Sequence, residues 1–270
     1  MKILLNNNDL KKALNGVSNL GFVPTMGSLH RGHISLVKKS LKICNKTIVS
    51  IFINPTQFNN KKDYKNYPRN NKKDLQILKK LNIDFVYLPN KSDIYKFKRT
   101  SKIKIIKQDK VLCAKYREGH FEGVIDVMDR LTKKIRPSKI FMGEKDFQQL
   151  YLVKKYINKK DNYLLVPCKT IRDKNKLALS SRNLLLDKKE LNNAGKIARN
   201  LLSFKKKLLK KKNIKNILID KKNELSKLYN ITIEYLQLRN ARNLKSSNKI
   251  KNSKIFIAYY LNKIRLIDNF

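Results

Sequence analysis

A chain of 270 residues is long enough for one large domain or two modest ones, and 41% hydrophobic residues supply a sizeable core and exclude global disorder. No apolar run approaches the roughly 20 residues that span a bilayer, and MKILLNNNDLKK is too short in apolar residues for a secretory signal, so cytoplasmic residence without membrane association is expected. The net charge of +43 invites a nucleic-acid reading, yet only 12 of the 63 basic residues are Arg.

Lys, Asn and Ile share A/T-rich codons, and a phosphate-reading surface more often favours Arg with interleaved aromatics. The excess Lys therefore reads as compositional drift on solvated faces, and no nucleic-acid partner is expected.

In chain order, Gly21–Thr25, Thr47–Asn54 and Ile83–Pro89 read as buried strands, with helical spacing over Gly32–Cys44 and Lys72–Leu81 between them. An amphipathic helix over His120–Ile135 stops at Pro137 and is followed by a strand at Lys139–Met142. A helix over Asp146–Asn158 and a strand over Tyr163–Thr170 complete the alternation. This predicts an α/β fold, a Rossmann-like parallel sheet covered on both faces, over residues 1–175.

Beyond about residue 175 the pattern changes. Helices over Asp187–Leu209 and Ile217–Leu228, then strand patterns over Ile231–Leu238 and Ile255–Asp268 around a polar loop at Asn243–Ser253, predict a smaller α+β domain over residues 176–270. No Gly/Ser linker precedes it, so close packing of the two domains is expected. The Lys clusters at 205–212 and 221–222 read as solvated helix faces.

Cys44, Cys113 and Cys168 are scattered, without a C-x-x-C pair or a nearby histidine, so no zinc site is read and the thiols receive no chemistry. Against the Lys-rich background, residues 13–37, 47–60, 116–132 and 177–187 contain no Lys. All three histidines (His30, His33 and His120) and six of the eight glycines fall in these islands. Burial excludes Lys but does not explain the His and Gly, so the islands are where chemistry is expected.

Four strings stand out. PTMGSLHRGH (Pro24–His33) lies where a strand ends and a helix begins, a junction expected to offer unpaired backbone N–H groups and a positive dipole end to a phosphate. His30 and His33, three apart, project from one side of the helix entrance and suit hydrogen bonding to phosphate oxygens. SIFINPTQF (Ser50–Phe58) ends the second strand with two amides, Asn54 and Gln57, suited to a hydroxylated carboxylate, although a plain turn accounts for Pro55 and its neighbours. In MGEKDFQQL (Met142–Leu150), Gly143 gives room and Lys145 offers a point charge. Asp146 suits a helix cap, and Gln149 lies one turn beyond Lys145. IRDKNKLALSSRN (Ile171–Asn183) carries two hydroxyls and an Arg in a short loop, a mobile phosphate clamp or a Ser-rich turn.

The first string resembles the HIGH motif of the nucleotidyltransferase superfamily, and the fourth its KMSKS loop. Together, in this order and spacing from about Gly21 to Asn183, with RLIDN at Arg265–Asn269, they resemble the pantothenate synthetase (pantoate–β-alanine ligase) family. The resemblance implies an ATP-dependent ligase that activates pantoate as pantoyl adenylate, with Mg²⁺, and couples it to β-alanine with release of AMP and pyrophosphate. It also implies a homodimer.

Carried over residue by residue, it implies ATP binding by Met26, Gly27, Ser28, Leu29, His30, Arg31, Gly32, His33, Gly143, Glu144, Lys145, Asp146, Ile171, Leu179, Ser180, Ser181 and Arg182. His33 would be proton donor or phosphate stabiliser. Gln57 would hold pantoate and place β-alanine, and Gln149 would hold pantoate. From the residues themselves, His30 and Lys145 join His33 as catalytic candidates and Asn54 joins the pantoate set. No carboxylate set for the metal is readable, so the ion is expected on phosphate oxygens and water. Another member of the superfamily, one that makes a nucleotide cofactor or charges a tRNA, and a basic nucleic-acid-binding protein are the competing readings. About 95 residues beyond the KMSKS-like loop leave a tRNA synthetase little room for its RNA module, and nucleic-acid binding gives no reason for PTMGSLHRGH.

Overall fold

The continuous apolar runs of the first half form a six-stranded, wholly parallel sheet in a computed structural model that describes residues 1–97, 103–157, 163–208 and 214–270. In chain order the elements are β1 (Lys2–Leu4), α1 (Asn7–Leu14), β2 (Leu20–Thr25), α2 (Arg31–Ile43), β3 (Lys46–Ile51), α3 (Lys61–Asn66), α4 (Asn71–Lys80), β4 (Phe85–Tyr87) and α5 (Lys91–Tyr95). Then come α6 (Cys113–Tyr116), α7 (His120–Ile135), β5 (Lys139–Gly143), α8 (Phe147–Tyr156) and β6 (Leu164–Cys168).

The sheet order is β1-β4-β3-β2-β5-β6. Strand order therefore reverses between β2 and β5, which opens a crevice at their carboxyl ends. Thr25 and Gly143, the last residues of those strands, stand at its floor. The central strands β2 and β3 are buried on both faces, which is why they read as unbroken apolar runs rather than alternating ones. One face packs Phe22, Ile48 and Ile140 against α1, α7 and α8. The other packs Val23, Val49 and Phe141 against α2 and α4.

The rest of the chain builds α9 (Lys188–Leu208), α10 (Ile214–Tyr229), β7 (Thr232–Asn240), β8 (Ser253–Leu261) and β9 (Ile264–Asn269). The last three form an antiparallel sheet in the order β7-β8-β9. The period of two along β8 splits its side chains. Ile255, Ile257 and Tyr259 face α9 and α10, while Phe256 and Ala258 join the core of the parallel-sheet unit. The close packing expected from the missing linker is thus visible in shared core residues.

Two differences from the sequence reading have local causes. Ile255–Asp268 is two strands rather than one segment, because Asn262 turns the chain with φ 48° between β8 and β9. The first helix and strand, β1 and α1, were not anticipated. The strand spans only three residues and is exposed at Ile3, and α1 is capped by the Asn6 side chain inside an Asn-rich, loop-like stretch. The expected ends of two helices, Asn158 and Leu209, and the Lys residues at 210–212 lie outside the described residues.

Candidate active site

The crevice at the switch point is a cleft of about 230 Å³. Its lining gathers Met26, His30, Gly32 and His33 from the PTMGSLHRGH string, Asn54 and Gln57 from the second, Gly143, Lys145, Asp146 and Gln149 from the third, and Ile171, Leu179, Ser180, Ser181 and Arg182 from the fourth. Segments more than 150 residues apart thus converge on one cavity. Gly27, Ser28, Leu29, Arg31 and Glu144 do not line it.

The junction of β2 and α2 departs from the expectation of free backbone donors. The Thr25 hydroxyl accepts from Gly27 N–H at 3.2 Å, and the carboxylate of buried Asp74 accepts from Ser28 N–H and Leu29 N–H, both at 2.7 Å. Gly27 takes φ 80°, which turns the loop back onto that carboxylate. His30 then caps α2, its Nδ1 accepting from Gly32 N–H at 3.1 Å, and His33 Nδ1 accepts from His30 N–H at 3.4 Å. The amides of Gly27, Ser28, Leu29, His30 and Gly32 are thus satisfied within the protein. Side chains, rather than this amide nest, remain to meet an anion.

The two imidazoles lie with ring centroids 4.0 Å apart. Because each Nδ1 accepts, each neutral ring carries its proton on Nε2 and is a hydrogen-bond donor there. Burial, reinforced by Lys145, lowers the His30 pKa to about 4. Burial, the neighbouring His30 and Lys145 hold His33 well below its ordinary value. Both rings are neutral near pH 7, which fits donation of a hydrogen bond better than transfer of a proton.

Lys145 follows the end of β5, and its Nζ stands 3.4 Å from Asp146 Oδ1, a long contact that leaves most of its donor capacity for another partner. The turn that carries it is fastened from the far end of the chain. Asn269 Nδ2 donates to the carbonyls of Glu144 and Lys145 at 2.8 and 2.9 Å, and Asp268 binds both terminal nitrogens of Arg172 at 2.6 and 2.9 Å. The RLIDN string therefore positions the Lys145 turn.

Gln57 and Asn54 differ in what they have to offer. Asn54 Oδ1 accepts from Thr56 N–H, the Thr56 hydroxyl and the Tyr95 hydroxyl, and its Nδ2 donates to Gly123 O at 3.1 Å. Its polar atoms are engaged within the protein, so Asn54 shapes the turn that carries Gln57 while lining the cleft. The Gln57 side chain touches Met26 Sδ and Asn54 Nδ2 inside the cleft. Gly123 makes the arrangement possible: a Cβ there would meet Thr56 O at 2.5 Å.

Two residues the sequence reading left without a role hold this turn. His120 Nδ1 lies 2.6 Å from Gln57 O, so it donates, and its Nε2 accepts from Arg117 Nη1 at 2.9 Å. Burial and the Arg117 charge lower the His120 pKa to about 3. Arg117 Nη2 also donates to Gln57 O, at 3.3 Å. His120 lies in a Lys-free island with Gly119 and Gly123, a signal that was present. Asp74 sits in a helix of ordinary polar spacing and gave none.

The fourth string closes one side. Ser181 Oγ donates to Ser28 O at 3.1 Å, and Arg182 Nη2 contacts both Asp63 carboxylate oxygens, at 2.8 and 3.1 Å. Behind it lies a second, smaller cavity of about 80 Å³ between the two sheets. It shares Arg117, His120, Lys145, Gln149 and Arg182 with the cleft.

The chain is similar throughout its length to known proteins of one family. A family model described as pantoate-beta-alanine ligase matches residues 2–270. A pantothenate synthetase of Flavobacterium psychrophilum is 41% identical over 266 residues, covering 96% of this chain and 94% of its own. One of Azobacteroides pseudotrichonymphae is 40% identical, covering 93% and 91%. Among solved structures, a pantothenate synthetase of Thermus thermophilus superposes with a TM-score of 0.88 at 26% identity, covering 100% of this chain and 99% of its own. A pantoate-beta-alanine ligase of Francisella tularensis, solved with beta-gamma ATP and beta-alanine, gives 0.84 at 36% identity, covering 100% and 97%.

Proposed function

The chain belongs to the pantoate-beta-alanine ligase family, and on that premise we propose how its residues divide the reaction. It is an ATP-dependent ligase that joins pantoate to β-alanine to give pantothenate. Its route runs through pantoyl adenylate. The pantoate carboxylate attacks the α-phosphorus, the bond to the bridging oxygen breaks and pyrophosphate leaves. The neutral β-alanine amine then attacks the acyl carbon, AMP departs with the electron pair of the anhydride oxygen, and the nitrogen sheds its proton to solvent.

A carboxylate is already a nucleophile at neutral pH, so the first step asks for alignment and for neutralisation of phosphate charge. The Nε2–H groups of His30 and His33 and the ammonium of Lys145 supply that neutralisation. Both rings are held by their Nδ1 atoms, so little reorganisation is needed when charge builds. Gln57 and Gln149 bind pantoate, and Gln57 also faces the amine. Gly143, Ile171, Leu179, Ser180, Ser181 and Arg182 border the nucleotide. Ser28 and Leu29 serve it indirectly, through the loop that Asp74 holds.

Among the described residues no cluster of three His, Cys, Asp or Glu is arranged to hold a metal. Asp146 presents a single, half-exposed carboxylate at the cleft. A Mg²⁺ ion delivered with ATP would be held chiefly by phosphate oxygens and water, with Asp146 the carboxylate placed to bind it, and would supply further neutralisation of the triphosphate.

Residues 1–175 then act as the nucleotide-binding and catalytic domain and residues 176–270 as its cover. Family membership supports a homodimer in the cytoplasm, and no helix among the described residues is long and apolar enough to cross a membrane.

The observation that carries this reading is the pair of Nδ1-anchored imidazoles beside Lys145 in one cleft. Exchange of labelled pyrophosphate into ATP with pantoate and Mg²⁺, without β-alanine, tests it. Exchange that required β-alanine would overturn the two-step route.

A further inference from the structure

Three guanidinium groups approach one another where the cleft meets the inner cavity. Arg117 and Arg182 line both spaces, and Arg265 lines the inner one. Two of them have carboxylate partners. Arg182 binds Asp63, and Arg265 binds both oxygens of Glu234 at 3.0 and 2.7 Å. Glu234 is further engaged by the Tyr260 hydroxyl at 3.0 Å. Arg117 has only neutral partners, the His120 ring and the Gln57 carbonyl, and among the described residues no carboxylate lies within ion-pair distance of it.

A guanidinium carries five N–H donors, and these contacts use two of them. Burial beside Arg182 and Arg265 lowers the Arg117 pKa to about 10, the direction expected of a cation withdrawn from water into a region of surplus positive charge. A withdrawn charge without a counter-ion is costly. An anionic ligand relieves the cost.

We propose that Arg117 is the receptor for the carboxylate of the amine substrate, seating β-alanine at the waist between the two cavities with its amine toward Gln57. The inference rests on the ligase reading, which supplies the substrate but assigns no residue to this carboxylate. Two carboxylates enter the reaction. The one on pantoate must stay free to attack phosphorus, and a bidentate guanidinium contact would withdraw it. The one on β-alanine takes no part in bond making and needs an anchor that fixes its distance from the acyl carbon. Arg117 touches the backbone of Gln57 at 3.3 Å, so a carboxylate bound to its remaining donors lies next to the residue that faces the amine.

The test separates the half-reactions. In Arg117→Lys and Arg117→Gln, KM for β-alanine rises at least about tenfold, the loss of a charge-assisted hydrogen-bonded pair. Pantoate-dependent pyrophosphate exchange falls far less. The unmodified enzyme discriminates strongly against β-alaninamide, which lacks the carboxylate, and Arg117→Gln loses most of that discrimination. A purely structural Arg117, acting only through the Gln57 carbonyl, would instead depress exchange and pantoate binding by the same factor as β-alanine binding. That result overturns the proposal, as does an unmodified enzyme that uses the amide as well as the acid, a readout that needs no variant to fold. Absence of exchange in the unmodified enzyme would count against the adenylate route itself and leaves a different pattern.

Discussion

Arg182 reaches across the mouth of the cleft to Asp63, its Nη2 lying 2.8 and 3.1 Å from the two carboxylate oxygens. The contact joins the loop after β6 to α3, and Ser181, one residue earlier, ties the same loop to Ser28. Both partners are partly exposed, with side chains 25% and 35% accessible, so the pair contributes less than about 1 kcal/mol to stability. Its effect falls on the loop. Asp63→Asn leaves thermal stability within about that margin and raises AMP release in the absence of β-alanine, because a loosened cover admits water to the adenylate. Unchanged AMP release would show that the loop does not guard the intermediate.

Removing a donor from the proposed phosphate site has a different signature. His33→Ala and Lys145→Ala each lower kcat by at least about a hundredfold with little loss of fold, the size expected for one preorganised charge-stabilising group. Steady-state kinetics with thermal melts on the same samples checks this. Near-normal turnover in both would remove the two residues from the chemistry.

Much of this arrangement was legible in the sequence, for physical reasons that differ from residue to residue. The strands were readable because parallel strands buried on both faces are unbroken apolar runs, as in Thr47–Ile51. His30 and His33 stood out because a Lys-rich background makes a Lys-free stretch with two His and two Gly conspicuous. The state of those rings was not legible. It follows from Nδ1 contacts to the backbone, which no spacing rule encodes. Asp74 and Arg117 were missed because their partners are 45 and 60 residues distant and neither sits in a motif. The turn contacts of Asn54 were not legible either, because an amide looks alike in sequence whether its atoms face a ligand or a turn.

The histidines also set an acid limit. His30 falls from 6.5 to about 4 and His120 from 6.5 to about 3, and His33 is lowered as well. A histidine with a depressed folded-state pKa binds fewer protons folded than unfolded, so stability rises with pH through that window and is lost as pH falls below about 6.5. Each ring contributes a slope of up to about 1.4 kcal/mol per pH unit. Glu234, held low by its Arg265 partner, adds loss of the same sign only below the ordinary carboxylate range. Urea unfolding between pH 7 and 5 should therefore show falling stability, and His120→Asn should flatten it. A flat profile in the unmodified protein contradicts the neutral assignment.

Asp74 supports the loop that carries His30 without meeting the cleft. Asp74→Ala strands the Ser28 and Leu29 N–H groups, both buried, and should cost about 3 kcal/mol. KM for ATP should rise with it, because the loop loses the anchor that sets the His30 ring. A variant with the full stability loss and unaltered ATP binding would show that the loop keeps its shape without Asp74.

Gly123 offers the sharpest test of how the end of the cleft proposed to take pantoate is built. A Cβ at this position would stand 2.5 Å from Thr56 O and 3.0 Å from Gln57 N, both backbone atoms that cannot rotate away. Gly123→Ala must therefore push α7 from the turn at Pro55–Gln57, and the displacement strains two contacts at once. Asn54 Nδ2 loses its 3.1 Å bond to Gly123 O, and the His120 ring loses its hold on Gln57 O. Overpacking of this kind costs about 1–3 kcal/mol, and helix propensity, which favours Ala over Gly by about 1 kcal/mol, offsets only part of it. Because the turn carries Gln57, KM for pantoate should rise several-fold, while nucleotide binding at the far end of the cleft should change little. Isothermal titration with pantoate and, separately, with a non-hydrolysable ATP analogue distinguishes the two ends. Equal weakening of both ligands would mean that the turn and the phosphate loop move as one body, and that Gly123 does not act on the pantoate end alone.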